Sequence, residues 1–218
     1  MLKVIDSISG CPNNPVIKKK LADYIRILFD FNERINLVSR KISPEAFAQL
    51  LNETLLLDTF ISNKTAAIID AGSGSGLLGI PIAIVRHSTK TKISLVEPKL
   101  KKISFLTEAV DNLELENVEI HSMSIEEYLK SEKPGSTGYT SLISRGFPDF
   151  KAFCVFIKKH LVHETIIITS ENKIKKNETY LETVAKKTYN VPLRNELKIL
   201  KILPMETASR GNKEYKKM

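Results

Sequence analysis

"IIDAGSGSGLLGIP", residues 68–81, is the stretch that decides the fold. A short apolar run meets one acid, Asp70, and then glycines stand at 72, 74, 76 and 79. Such a pattern predicts a strand that enters a glycine turn and leaves as a helix, the usual entrance to a nucleotide site. Two patterns overlap within it. Gly74, Gly76 and Gly79 spell G-x-G-x-x-G, the dinucleotide fingerprint, while Asp70, Gly72, Gly74 and Gly76 spell D-x-G-x-G-x-G.

Outward from this stretch, apolar strand patterns alternate with helical ones. Strands are expected over 66–70, 92–98, 117–122, 140–145, 164–170 and 197–205, with helices over 78–88, 101–115, 150–161 and 176–190 and a short one around "SIEEYLK". This alternation predicts an α/β chain with a parallel, doubly wound sheet and helices on both faces. The first third reads differently. Residues 15–31 place Ile17, Leu21, Tyr24, Ile25, Leu28 and Phe31 at helical spacing, and 43–60 open with Ser43 as N-cap and Pro44 at the first helical position. The organisation that follows is a helical extension over 1–62, a core over 63–205 and a basic tail over 206–218.

Ligands of doubly wound sheets bind beyond the carboxyl ends of the strands. Asp70, Glu97, the segment from Ser122 to Glu126, Ser144 and Arg145 end strands here and are the places to look for chemistry. A pyrophosphate rests on a helix N-terminus, where N–H groups and the dipole favour negative charge. Asp70, just before the first glycine, is a poor neighbour for it and suits a ligand carrying an ammonium or a sulfonium. S-adenosylmethionine carries both. Glu97, 27 residues on, ends the next strand and can accept both hydroxyls of a ribose.

Composition narrows the setting. The net charge of +8 suggests a polyanionic partner such as nucleic acid. Lysine-rich runs lie at 17–20, 99–102, 172–177 and 212–218, although most such runs are solvated faces. No apolar run approaches the ~20 residues that span a bilayer, and the start has no secretory core. Cys11 and Cys154 lack disulfide or zinc spacing, and Cys154, Phe153, Phe156 and Leu161 read as core. His87, His121, His160 and His163 form no metal-ligand pattern. A cytoplasmic protein with no metal, no membrane segment and a monomeric state is the expectation. The loop after the fourth strand pattern, "ISRGFPDF", lacks the Asn/Asp-Pro-Pro-aromatic signature of amine acceptors, and no cysteine nucleophile stands ready for pyrimidine carbon. An acceptor that is already nucleophilic, and needs orientation more than a base, remains.

"FNERINLVS" (31–39), "LLDTF" (56–60), the glycine stretch, "KLKKISFL" (99–106), "LENVEIHSMSIEEY" (115–128) and "ISRGF" (143–147) occur in order and together resemble the glucose-inhibited division protein B family. Those are bacterial methyltransferases acting on N7 of one guanine in small-subunit ribosomal RNA. The resemblance covers roughly residues 20 to 205. It implies a mostly parallel seven-stranded sheet of the class I S-adenosylmethionine-dependent (Rossmann-like) type. It also implies cofactor contacts at Gly72, Leu77, Ile125, Glu126 and Arg145, beside Asp70, Gly74, Gly76 and Glu97 from the turn itself. Arg145 is the one candidate for a catalytic position, holding a phosphate or the cofactor rather than moving a proton. The alternative roles are pairing with a core acid for Arg145 and a helix-start acid for Glu126.

The chain departs from the family pattern at Leu55, where a His is usual, at Ser124 for Arg, at Ser170 and Glu171 for Lys-Gly, at Leu78 for Pro, and at Leu197 for a late Arg. Competing functions are an RNA-binding protein that keeps the fold without methyl transfer, a methyltransferase with a non-ribosomal acceptor, and a nicotinamide oxidoreductase. Asp70 opposes the last of these.

Overall fold

In the computed structural model, residues 2–6, 8, 10–131, 138–146, 149–159, 163–181, 185–191 and 196–203 are described. Three helices come first: α1 (Leu2–Asp6), α2 (Pro15–Asn32) and α3 (Pro44–Asp58). The alternating part is β1 (Ala67–Ala71), α4 (Gly79–Val85), β2 (Lys92–Val96), α5 (Leu100–Asn112), β3 (Val118–His121), α6 (Ile125–Ser131), β4 (Thr140–Arg145), α7 (Phe150–Lys159) and β5 (Glu164–Ser170). The chain ends on α8 (Glu171–Lys176), α9 (Glu178–Leu181), β6 (Ala185–Asn190) and β7 (Leu197–Leu203). Strand order is β3-β2-β1-β4-β5-β7-β6, with β7 antiparallel to both neighbours and the other pairings parallel. The order reverses between β1 and β4, so a crevice opens above the ends of these two strands.

Residue-by-residue alternation builds the two layers. Ile68, Ile143, Ile166 and Ile168 face one side with α4, α5 and the first three helices. Ile69, Leu142 and Ile167 face the other, with α6, α7, Ile174 of α8 and Leu181 of α9. Because strand side chains alternate faces, runs such as "TIIIT" supply both layers at once, and the central strands read as unbroken apolar segments.

The first helices start where their caps dictate. Asn14 Oδ1 accepts the N–H groups of Val16 and Ile17, with Pro15 opening α2. Ser43 Oγ accepts the Ala46 N–H ahead of α3. Past α2, the buried Asn32 accepts the N–H groups of Leu37 (2.8 Å) and Val38 (3.0 Å), which turns the chain and gives "N-x-x-I-N-L" a structural meaning.

One element departs from the sequence expectation. The helix expected over 176–190 is the end of α8, the short α9 and then strand β6. "KNETYLETVAKK" is rich in helix formers, but pairing with β7 decides the local structure, and the lysines of β6 suit an exposed sheet edge. Short α1, which buries Ile5, was absent from the sequence reading. The tail 206–218, Leu161 and the side chains of Cys154 and Phe156 lie outside the described residues, whereas Phe153 is core as expected. Among the described residues no helix is long and apolar enough to cross a membrane.

At the amino end of the sheet, the fully buried Glu164 ties three segments together. Its carboxylate accepts the Ser62 N–H (2.9 Å) and the Ser141 hydroxyl, and pairs with Lys201 Nζ at 2.7 Å. Lys201 also donates to the Phe60 carbonyl at 2.6 Å, which clamps the link from α3 to β1. Removing one partner from a buried pair leaves an uncompensated charge, so Lys201→Met is expected to lose about 3–5 kcal/mol of stability in urea unfolding.

Candidate functional site

Gly72, Gly74 and Gly76 all lie in the left-handed region, at φ +74°, +62° and +69°, which L side chains rarely adopt. The turn folds back on β2, where Gly72 and Ser73 donate to the Val96 carbonyl at 2.9 and 3.1 Å. Gly79 serves another purpose. A Cβ there would lie 2.2 Å from Leu95 Cδ2 and 2.9 Å from Asp70 Oδ2, so its missing side chain lets α4 seat against the sheet. Both glycine spellings therefore describe real constraints, the first three residues on conformation and the last on packing.

Asp70 lies buried beneath the turn, and its Oδ2 accepts the Gly79 N–H at 3.0 Å. Burial pushes its carboxyl up to about 7, against the pull of that hydrogen bond and of Ser73, with Glu97 adding to the rise. Glu97, also buried, follows β2 and accepts the Gly74 N–H at 2.9 Å and the Lys99 N–H at 3.0 Å. Lys102 Nζ stands 4.0 Å from Glu97 and beside Gly74.

Across the crevice, Arg145 ends β4, and the preceding Ser144 hydroxyl donates to the Ala71 carbonyl at 3.2 Å. Gly146 follows at φ +69°. Arg145 lines a cleft of about 220 Å³ with Gly146, Ile168, Thr169, Ser170, Lys173 and Leu197. Its guanidinium pairs with Glu53 of α3 at 2.6 Å. The core-acid pairing weighed from sequence is thus present, and it sits at the rim of the cleft.

The third strand's end is organised by a capping box. Ser124 Oγ accepts the Glu127 N–H at 3.2 Å, while Glu127 accepts the Ser124 N–H at 2.8 Å. Ile125 is buried, in the apolar cluster that includes Val96, and Glu126 is exposed in the first turn of α6. Leu77 is half-buried against the core.

The first helices contribute polar groups to the glycine turn that helical spacing does not mark. The Tyr24 hydroxyl donates to the Ser75 carbonyl at 2.8 Å, and Thr54 Oγ1 donates to the Leu77 carbonyl at 2.9 Å. Tyr24 is fully buried, and burial, with Asp70 nearby, holds its phenol well above the ordinary tyrosine range. The available signal is three adjacent polar residues, Asn52, Glu53 and Thr54, inside the apolar run of α3. Among the described residues no cluster of His, Cys, Asp and Glu could hold a metal ion.

The chain matches the GidB family, described as rRNA small subunit methyltransferase G, over residues 17–197. A relative from Brachyspira hyodysenteriae, named ribosomal RNA small subunit methyltransferase G, is 33% identical over 195 residues, covering 88% of this chain and 90% of that protein. The fold is shared with a ribosomal protein L11 methylase from Lactobacillus delbrueckii subsp. bulgaricus (TM-score 0.56, 14% identity, 72% of this chain and 79% of that one). It is also shared with the Aeropyrum pernix fibrillarin solved with natively bound S-adenosyl-L-methionine (TM-score 0.52, 13% identity, 70% and 74%).

The raised carboxyl of Asp70 has a consequence for stability. Between its unfolded value near 4 and its folded value of about 7, the folded state holds this proton more tightly. That contribution to stability is complete below pH 4 and is lost as pH rises through 7. Asp70→Asn removes the slope. The variant is therefore expected to gain on the wild type by on the order of a few kcal/mol between pH 5 and pH 8 in urea unfolding.

Proposed function

The chain belongs to the GidB family, rRNA small subunit methyltransferase G, and we propose from that premise that it transfers a methyl group from S-adenosylmethionine to N7 of a guanine in small-subunit ribosomal RNA. The observation that carries the reading is the pair of acids around the glycine turn. Asp70 lies under it and Glu97 is tied to Gly74, both buried in a chain whose net charge is +8. A cationic, ribose-bearing cofactor suits this arrangement better than a pyrophosphate.

The residues present fit S-adenosylmethionine. A Cβ at Gly72 would meet no atom within 4 Å, so the first glycine leaves open space at the crevice for a ligand to approach the backbone. We assign the turn residues Gly72, Gly74, Gly76 and Leu77 to hold the cofactor by close approach. Glu97 accepts its ribose hydroxyls, and Asp70 offsets its positive charge. Ile125 and Glu126 close the side beyond β3, and Arg145 stands at the acceptor side. When bound, the cofactor supplies an electrophilic methyl group on a sulfonium.

Guanine N7 carries an in-plane lone pair and no proton. That lone pair forms the new N–C bond, the S–C pair stays on sulfur, and the positive charge ends on the guanine. No general base is needed, so positioning and electrostatics are what the protein provides. The cleft beside Arg145 and Lys173 is our site for the acceptor. N7 lies in the major groove, deep and narrow in A-form RNA, so the substrate presents this guanine from a loop or an opened junction. We read residues 1–62 as an extension that braces a core of 63–205, residues 206–218 as a basic tail, and the working form as a cytoplasmic monomer.

The test is transfer of labelled methyl to small ribosomal subunits lacking the modification. Label is expected as N7-methylguanine in RNA, with at least a tenfold loss in Asp70→Ala. Label in protein or small molecules only, or none despite measurable cofactor binding, would sink the ribosomal assignment. Lys173→Ala is expected to weaken RNA binding without sequence preference and to reduce the slope of log affinity against log salt by about 1, the signature of one lost phosphate contact.

A further inference from the structure

We propose that Glu53 is a positioning residue for methyl transfer, which holds the Arg145 guanidinium at the cleft rim and cancels its charge beside the acceptor base. The inference rests on the reading of the chain as a guanine-N7 methyltransferase.

Three observations converge. Glu53 Oε2 lies 2.6 Å from Arg145 Nη1, an ion pair in which the Glu53 side chain is only 5% exposed and the Arg145 side chain 22%. The acid comes from α3, in the helical extension, and the base from the end of β4, so the pair joins two parts of the chain 92 residues apart. Next to Glu53, Thr54 donates to the Leu77 carbonyl of the glycine turn, so one helical turn touches both the cofactor side and the acceptor side.

Chemistry explains why a buried acid belongs there. During transfer the positive charge moves from sulfur onto guanine, toward the cleft that Arg145 lines. A lone guanidinium would oppose that movement, and charges close together at a protein surface interact more strongly than in bulk water. The Glu53 carboxylate makes the pair neutral overall. A guanidinium carries five N–H donors on a planar fork, so an ion pair at Nη1 leaves the other nitrogens to reach a phosphate or a base oxygen. Arg145 can then orient RNA without placing net positive charge beside a base that becomes cationic.

The experiment compares full-length wild type, Glu53→Gln, Arg145→Gln and the double variant in single-turnover methyl transfer to unmodified small subunits at saturating cofactor. Glu53→Gln is expected to slow transfer at least tenfold, with cofactor affinity by calorimetry changed less than threefold. The double variant is expected to be no slower than Arg145→Gln alone, and Glu53→Asp to recover part of the rate. Transfer by Glu53→Gln within twofold of wild type, or losses that multiply in the double variant, would overturn the inference. A second readout needs neither turnover nor a variant of Glu53. The Arg145 guanidinium nitrogen signals of the wild type, assigned with Arg145→Lys, should show slowed rotation about the Nε–Cζ bond, and free rotation would overturn the inference even if Glu53→Gln failed to fold. A wild type that makes no N7-methylguanine but shows the slowed rotation would count against the functional reading and leave the positioning pair standing.

Discussion

The site depends on where the carbonyls of the glycine turn go. Three left-handed residues in five send Gly72, Ser73 and Gly74 N–H groups toward β2 and Glu97. The carbonyls of Ser75 and Leu77 then face the helices that cover the turn. A buried carbonyl without a donor costs about 1–3 kcal/mol. Tyr24 of α2 and Thr54 of α3 supply the donors from outside the alternating core. Helices α2 and α3 are therefore part of the glycine turn's own hydrogen bonding. A turn so held can keep a conformation that its sequence alone would leave mobile, because glycine has the largest backbone freedom to lose.

The charge pattern follows from the same packing. The chain is basic, yet the buried charges beside the turn and Arg145 among the described residues are acids: Asp70, Glu97 and Glu53. Each is compensated differently. Asp70 takes a backbone N–H and carries a raised affinity for its proton. Glu97 takes two backbone N–H groups and has Lys102 at 4.0 Å. Glu53 takes a guanidinium. The lysines largely stay outside, several of them occupied: Lys18 with Asp6, Lys175 with Glu171, and Lys20 on the carbonyl of Leu113. The positive net charge is thus a long-range property of the whole chain, while at short range the buried charges beside the turn are acidic.

Much of the fold was legible because its causes are local. Period-two and period-3.6 patterns mark β1, β4, β5, α2 and α5, and Asn14, Pro15, Ser43 and Pro44 mark the helix starts. β6 was not legible, since its residues favour a helix and only a partner strand distant in space makes them extended. The same division holds at the site. The glycines and Asp70 could be read because turn, acid and packing constraint fall within ten residues. Tyr24 and Glu53 could not, because a polar atom on a helical face gives no sign of which carbonyl or cation, 51 or 92 residues away, it will meet. Helical periodicity says that Tyr24 is inside and nothing about its hydroxyl.

The departures from the family pattern take on meaning in this frame. Ser124, in place of an arginine, makes a capping box with Glu127 and sets the start of α6 behind Ile125. Ser170, in place of a lysine, accepts the Lys173 N–H at 3.3 Å and starts α8. In both cases a short side chain begins a helix. At Ser170 the helix it starts carries Lys173 to the cleft that Arg145 also lines. Arg145 then shares this cleft with Lys173 and pairs with Glu53 of α3, so an acid of the first helices offsets one of the cations that line it.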